Sequence, residues 1–372
     1  IHNQAFEFIT PVVYKWTDPV KGETYRPLEV RPVVTLNFSD HVFVFGDKKP
    51  KKVFLTVRAE KDSVAGEISF RGNIPFRTEP KNFSLAISKK GEEKKLEFTL
   101  VPDSGFFDRR LKDEKALHAN FLSADGKSGS DKSRTEIKYD HIPYQTIFTE
   151  SMAKIVQLDL KKVGKRIGYI EGAGDAVPQA LQQIGYEVTF LTDAMIESDA
   201  LSGYDAIITG VRAYNTNERM RHYYPKLMNY IEQGGNLIVQ YNTNNFLASF
   251  DGNIGPYPFK ISRGRVADES AAVTCTSPKH PLMNFPNAIT HHDFEGWIQE
   301  IGLYYPTEIS TKYETIISCN DKGEDPLDTG IITCQYGKGH FAYTSLSFFR
   351  ELPAGVPGAY RLFVNMISMG KN

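Results

Sequence analysis

The stretch RIGYIEGAGDAVPQALQQIGYEVTFLTDA (166–194), continued by DAIITGVRAYNT (205–216) and GGNLIVQYNTNN (234–245), decides the fold of the second half of this chain. Residues 166–169, 188–191, 206–209 and 237–240 are short apolar runs without alternation, as in parallel strands covered on both faces. Between them, 177–184 and 223–233 have helical spacing, the second closed by Gly234-Gly235. An α/β domain is therefore expected. Each apolar run ends in a polar or glycine-rich turn: 171–175, Thr192-Asp193, 210–216 and 241–245. Ligands of open α/β sheets bind outside the carboxyl ends of the strands, so a site is sought at these four turns.

The first half reads differently. Val53, Leu55 and Val57 alternate with polar residues, as do 67–70, 83–87 and the set Leu96, Phe98 and Leu100. Turn signals separate them at Gly46-Asp47, 90–92 and 102–105. Short strands at this spacing predict an antiparallel, immunoglobulin-like β-sandwich, although the Cys-Trp-Cys core of antibody domains is missing. Residues 123–133 read as an exposed loop, and 135–139 and 154–160 as closing strands. A basic connection at 161–165 divides the chain into a sandwich over 1–162 and an α/β domain over 163–372.

With 372 residues, 24% charged residues and a formal net charge of -1, the chain has no clustered excess of Lys and Arg to displace counterions, so no nucleic-acid partner is expected. No run is long and apolar enough for a membrane span, and no secretory h-region opens the chain. A start at Ile1 instead of Met predicts a processed or excised piece of a longer protein. Cys275, Cys319 and Cys334 are too widely spaced for a dense disulfide framework or a CxxC zinc pattern, while one pair could bridge.

Gly172-Ala173-Gly174-Asp175 follows a strand and opens a helix, with Asp193 ending the next strand, which is the layout of a dinucleotide site. Val177 stands where the third glycine belongs, and Glu171 would place negative charge beside a pyrophosphate, so a structural turn is expected and no cofactor. His280, His291, His292 and Asp293 are metal-ligand types. Adjacent histidines on an extended chain point to opposite sides, and no HExxH helix occurs, so the expectation is a polar loop without a metal. No GxSxG elbow appears, and no catalytic residue is assigned.

Arg212, Tyr214, Asn215, Tyr241, Asn242, Asn244 and Asn245 gather donors, acceptors and aromatic faces at the strand ends, a set suited to a sugar or a carboxylated small molecule. Asparagines in such places also cap helices and make turns. The stiff loop 348–361 holds Arg350 where it reaches an anion over the sheet's edge, or pins the last helix. Arg350 and His292 with Asp293 complete the expected ligand set.

YDHIPYQTIF, IGYIEGAGDAVPQAL, GVRAYNT, QYNTNN, HHDFEGWIQEIGLYYP and YGKGHFAYTSLSFFRELPAGVPGAYRL occur in order, and with them the chain resembles the carboxyl-terminal half of long bacterial PIG-L/LmbE-like deacetylases. The resemblance covers most of the chain beyond Asp140; earlier it is limited to WTDPVKGETYRPLEV. It implies a β-sandwich followed by a flavodoxin-like, three-layer domain similar to class I glutamine amidotransferases and their ThuA-like relatives. It further implies an upstream zinc-dependent N-acetyl-sugar deacetylase domain as partner on the same polypeptide, and export to the periplasm or beyond. The deacetylase's His-Pro-Asp-Asp run is absent here. Where an amidotransferase carries its nucleophilic cysteine, after 237–240, this chain has Tyr241, a poor nucleophile near neutral pH. The expected role is binding or presenting a glycan or amino sugar. A sugar-directed hydrolase or isomerase using His292 with Asp293 or Glu295, and a structural spacer, are the alternatives.

Overall fold

The computed structural model describes residues 7–72, 75–103, 115–198, 200–244 and 252–371. Contacts divide it into two units, one of residues 1–43 with 48–155 and one of 44–47 with 156–372.

The first unit is antiparallel β-structure. One sheet runs Val34–Phe38, Lys51–Ala59, Glu93–Pro102, Phe76–Glu79; another runs Val42–Phe45, Met152–Gln157, Lys115–Ser123, Val64–Arg71, Asn82–Ile87. Alternation dictates which face of each strand is buried: Val53, Leu55 and Val57 are inside and pair in register with Glu93–Pro102, whose Leu96, Phe98 and Leu100 are inside too. Phe98 stacks on Phe70 of the other sheet, ring centroids 4.3 Å apart, and meets Phe83 edge-on at 6.4 Å. Those rings join the inner faces into a β-sandwich core. Part of the stretch read as an exposed loop is strand: Gly129–Ser130 pairs with Phe121 and Leu122, and Lys132–Ile137 pairs with Gln145–Glu150. Backbone pairing there needs no apolar side chain, so the Ser- and Lys-rich composition concealed it.

The second unit is built on a seven-stranded sheet in the order Glu187–Phe190, Arg166–Ile170, Ala206–Thr209, Asn236–Gln240, Gly339–Thr344, Ile331–Tyr336, Glu314–Thr315. The first five are parallel; Ile331–Tyr336 is antiparallel to Gly339–Thr344, and Glu314–Thr315 is antiparallel to Ile331–Tyr336. Successive side chains alternate between faces. Leu237, Val239, Phe341 and Tyr343 pack with Tyr223, Leu227 and Ile231 of the helix Met220–Glu232. Asn236, pointing the other way, donates to the carbonyls of Met366 and Ile367 in the final helix Pro357–Ile367 at 2.8 and 3.0 Å. Residues 252–286, rich in Pro and Gly, are tied down by three two-residue pairings: Lys260–Ile261 with Pro306–Thr307, Arg265–Val266 with Gly302–Leu303, and Thr274–Cys275 with Ile317–Ser318. This stitching fixes the position of Tyr304. No described helix is long and apolar enough to cross a membrane.

Candidate functional site

Three of the four turns meet at the carboxyl edge of the parallel strands. Ala173 donates its N–H to the carbonyl of Val211, Arg212 to that of Tyr241, and Tyr214 to the side-chain oxygen of Asn242. The close approach of the first and third turns demands Gly172, where a Cβ would lie 2.2 Å from the Val211 carbonyl oxygen. The remaining turn goes elsewhere: Thr192 caps the helix Asp193–Glu197, and Asp193 is ion-paired with Arg219 at 2.5 Å.

The dinucleotide-like turn is spent on structure. Asp175 accepts from the Tyr169 hydroxyl at 2.6 Å and from the backbone N–H groups of Val177 and Val211 at 3.0 and 3.1 Å. An anion arriving at this helix end would meet a carboxylate already bound to the N–H it needs. Burial, with Asp175 beside it, holds the Tyr169 hydroxyl far above its ordinary pKa. Gln240 donates to the same hydroxyl at 3.1 Å and to the Thr209 carbonyl at 3.3 Å; the buried Gln240 Oε1 and Thr209 Oγ1 have no partner among the described residues.

Several expected ligand residues serve the framework instead. Tyr214 is buried in the core, its hydroxyl donating to the Ile254 carbonyl at 3.3 Å. Asn215 and Thr243 exchange two bonds, at 3.0 and 2.8 Å, which occupy both ends of the amide. Asn242 is fully buried, accepting from the Tyr214 N–H at 2.9 Å and donating to the Gln240 carbonyl at 3.0 Å. Asn244 donates to the Ile261 carbonyl at 2.6 Å. Asn245 lies outside the described residues. These amides satisfy backbone groups that turns leave open, which is what buried turns require.

Asp293 is likewise structural. It closes a capping box on Thr290, accepting from the Thr290 N–H at 2.8 Å, and pairs with Arg361 Nε at 2.7 Å. Both carboxylate oxygens are engaged, one by the Thr290 N–H and the other by Arg361. The histidines before it are not extended: His291–Phe294 is a 3₁₀ turn, and the His291 and His292 rings lie side by side, centroids 3.8 Å apart. The expectation that they point to opposite sides is corrected by this turn. His292 is exposed, its Nδ1 2.7 Å from Glu295 Oε1.

Arg212, Tyr241 and Arg350 do come together. Tyr241, 7% exposed, stacks on Tyr304 with centroids 5.9 Å apart and planes at 8°, and touches Phe349 at 5.3 Å. Burial raises the pKa of the Tyr241 hydroxyl, and the Arg212 guanidinium opposes that rise. Arg350 is held by Glu300 at 2.8 Å and by Gln299. The Arg212 Nε is buried without an acceptor among the described residues. Backbone strain gathers here as well, since Arg212 (φ 58), Gln299 (φ 67) and Tyr304 (φ 56) are left-handed without being glycine. Tyr304, Phe349, Glu300 and Gln299 were not among the expected site residues; the aromatic and acidic residues of QEIGLYYP were the available signal.

Among the described residues no activated thiol accompanies this set. All three cysteines are free, and burial pushes the Cys319 thiol up to about 11 and the Cys334 thiol up to about 12. Cys334 instead lines a cleft of about 590 Å³ at the amino edge of the sheet, with His280 and His340, whose imidazoles burial keeps more neutral than usual. A thiolate is the reactive form, so at pH 7.5 the native chain is expected to yield one rapidly titrating thiol, the partly exposed Cys275, and three after unfolding. A second fast thiol in the native protein would contradict these pKa directions.

No protein-family model matches the chain, and no curated protein matches it. Solved structures similar to parts of it include a CARDB domain from Pyrococcus furiosus crystallised with di-metal ions (14% identity, 34% of this chain and 89% of that one, TM-score 0.20). Others are the sporulation control protein Spo0M of Bacillus subtilis (10%, 34% and 50%, TM-score 0.21) and a cold-adapted β-galactosidase of Rahnella sp. R3 (15%, 53% and 31%, TM-score 0.31). The chain thus spans half of Spo0M and less than a third of the β-galactosidase. At these scores the likenesses carry no argument about fold or function.

Proposed function

We propose that the second unit is a non-catalytic binding domain for an N-acetyl amino sugar or a glycan containing one, seated at Arg212, Tyr241, Tyr304, Phe349 and Arg350. The observation that carries this is the buried Arg212 Nε, without an acceptor among the described residues, on a turn whose Arg212 N–H donates to the carbonyl of Tyr241, the residue whose ring stacks on Tyr304 and meets Phe349. A buried guanidinium N–H left unmet is costly, and an acetamido carbonyl oxygen is a neutral acceptor that meets it. Tyrosine and phenylalanine rings offer the flat apolar surface that a pyranose face covers. Catalysis has less support, because Tyr241 is driven away from ionisation and no activated thiol stands near it.

This reading agrees with the resemblance to the accessory half of PIG-L/LmbE-like deacetylases: an immunoglobulin-like sandwich, then a flavodoxin-like domain of the glutamine amidotransferase and ThuA-like kind, serving a deacetylase domain upstream in an exported bacterial protein. Binding the product or substrate of that domain would hold a polymeric glycan near its chemistry, raising its effective concentration. The test is a thermal-stability screen of this chain with N-acetylglucosamine, glucosamine, glucose and N-acetylglucosamine oligomers. A ligand that prefers the native state at about 100 times its Kd stabilises by about 2.7 kcal/mol. The N-acetyl sugars are expected to raise the melting temperature and glucose to leave it unchanged. No shift with any sugar favours the spacer.

A further inference from the structure

We infer that His291, His292 and Glu295 form a surface site for one divalent transition-metal ion of the zinc class. The ligand atoms of the three side chains all lie within 4.8 Å of one another. Two imidazoles and one carboxylate are a nitrogen-rich set that suits zinc and its neighbours, whereas calcium and magnesium require oxygen ligands throughout. Three protein ligands on an exposed turn leave further coordination positions to water or to an incoming group.

The trio is held ready by the backbone beneath it. Asp293, between His292 and Glu295 in sequence, is locked by Thr290 and Arg361, and its carbonyl accepts from Trp297 Nε1 at 3.0 Å. Arg361 Nη1 and Nη2 also donate to the Asp159 and Ala288 carbonyls, both at 2.7 Å. Gly358 packs directly against the Asp293 carbonyl. A turn fixed from below while its outward side chains remain exposed loses little entropy when an ion draws those side chains together. The carboxylate already faces its partner: Glu295 Oε1 is 2.7 Å from His292 Nδ1.

The experiment is calorimetric titration of the tag-free chain with ZnCl₂ at pH 7.5, beside His291→Ala, His292→Ala and Glu295→Gln. One ion per chain is expected, with affinity lowered tenfold or more in each variant. The three residues are exposed, so the variants should melt with the wild type in the absence of metal, which separates lost ligation from lost folding. Failure to take up a stoichiometric ion overturns the inference. So does uptake that survives all three changes and is lost instead on His280→Ala or Cys275→Ser.

Discussion

Gly358→Ala is expected to destabilise the second unit by about 4 kcal/mol or more, among the largest effects a single methyl group can have. A Cβ at this position would stand 1.8 Å from the Asp293 carbonyl oxygen and 2.3 Å from its carbonyl carbon and Cα. All three are backbone atoms, so no rotamer change relieves the overlap. Nor can Asp293 retreat, since Thr290, Arg361 and Trp297 hold it from three directions. The final helix, whose Tyr360, Leu362, Phe363, Val364 and Met366 are buried, must then move away from its seat. In a unit of this size the melting temperature should fall by roughly 10 °C. Gly46→Ala is the control: its new methyl would meet Leu160 at an ordinary 3.7 Å, and its melting curve should stay near that of the wild type. A Gly358→Ala protein as stable as that control would show that the helix and the 3₁₀ turn are not packed as described.

Glu351 supplies the second large effect. Its side chain is fully buried, and that burial pushes the carboxyl up to about 7, against the opposing pull of the Ile298 N–H at 3.0 Å, the Ser347 hydroxyl at 3.3 Å and the neighbouring Arg350; Glu269 adds to the rise. A carboxyl whose folded pKa lies above its unfolded value of 4.5 contributes stability that is fully present below about pH 4.5 and is lost as pH rises through 7. Between pH 4 and pH 8 the loss is on the order of 2–3 kcal/mol. Glu351→Gln removes the ionisation and should abolish this component of the pH dependence, making the variant the more stable protein at pH 8. Urea unfolding of both proteins at pH 5, 6, 7 and 8 reads the difference directly. Parallel stability curves would mean that Glu351 ionises in water-like surroundings. Because Ile298 precedes Gln299 and Glu300, which hold Arg350, the same protonation bears on the proposed binding surface.

Much of the fold is legible in the chain, for local reasons. Unbroken apolar runs identify the strands Arg166–Ile170, Ala206–Thr209 and Asn236–Gln240, because a strand covered on both faces has no polar side to display. The pairing of Ile331–Tyr336 with Gly339–Thr344 is equally plain from its glycine turn. Its insertion beside Asn236–Gln240 is not, since that contact spans about a hundred residues and leaves no local mark. At the site, sequence identifies residue types but not their partners: Asn215 and Asn242 have the chemistry of ligand contacts, yet spend it on backbone groups a few ångströms away. Tyr304 was invisible for the opposite reason. Nothing in a sequence reveals that a tyrosine takes a left-handed conformation and arrives against Tyr241 through paired segments from a Pro- and Gly-rich region. His291 and His292 were expected on an extended chain, whereas the cap between Thr290 and Asp293 folds them into a 3₁₀ turn.

The function proposed for the second unit is binding of an N-acetyl sugar by Arg212 and its aromatic neighbours. Calorimetric titration of an N-acetylglucosamine oligomer into the wild-type chain, Arg212→Ala and Tyr304→Ala measures it most directly. Removing a hydrogen bond to a charged group costs about 1.5–3 kcal/mol, so the Arg212 variant should bind at least about tenfold more weakly, and loss of the stacking ring should weaken binding to a lesser degree. Equal affinity in all three proteins, or no heat of binding in the wild type, contradicts the claim.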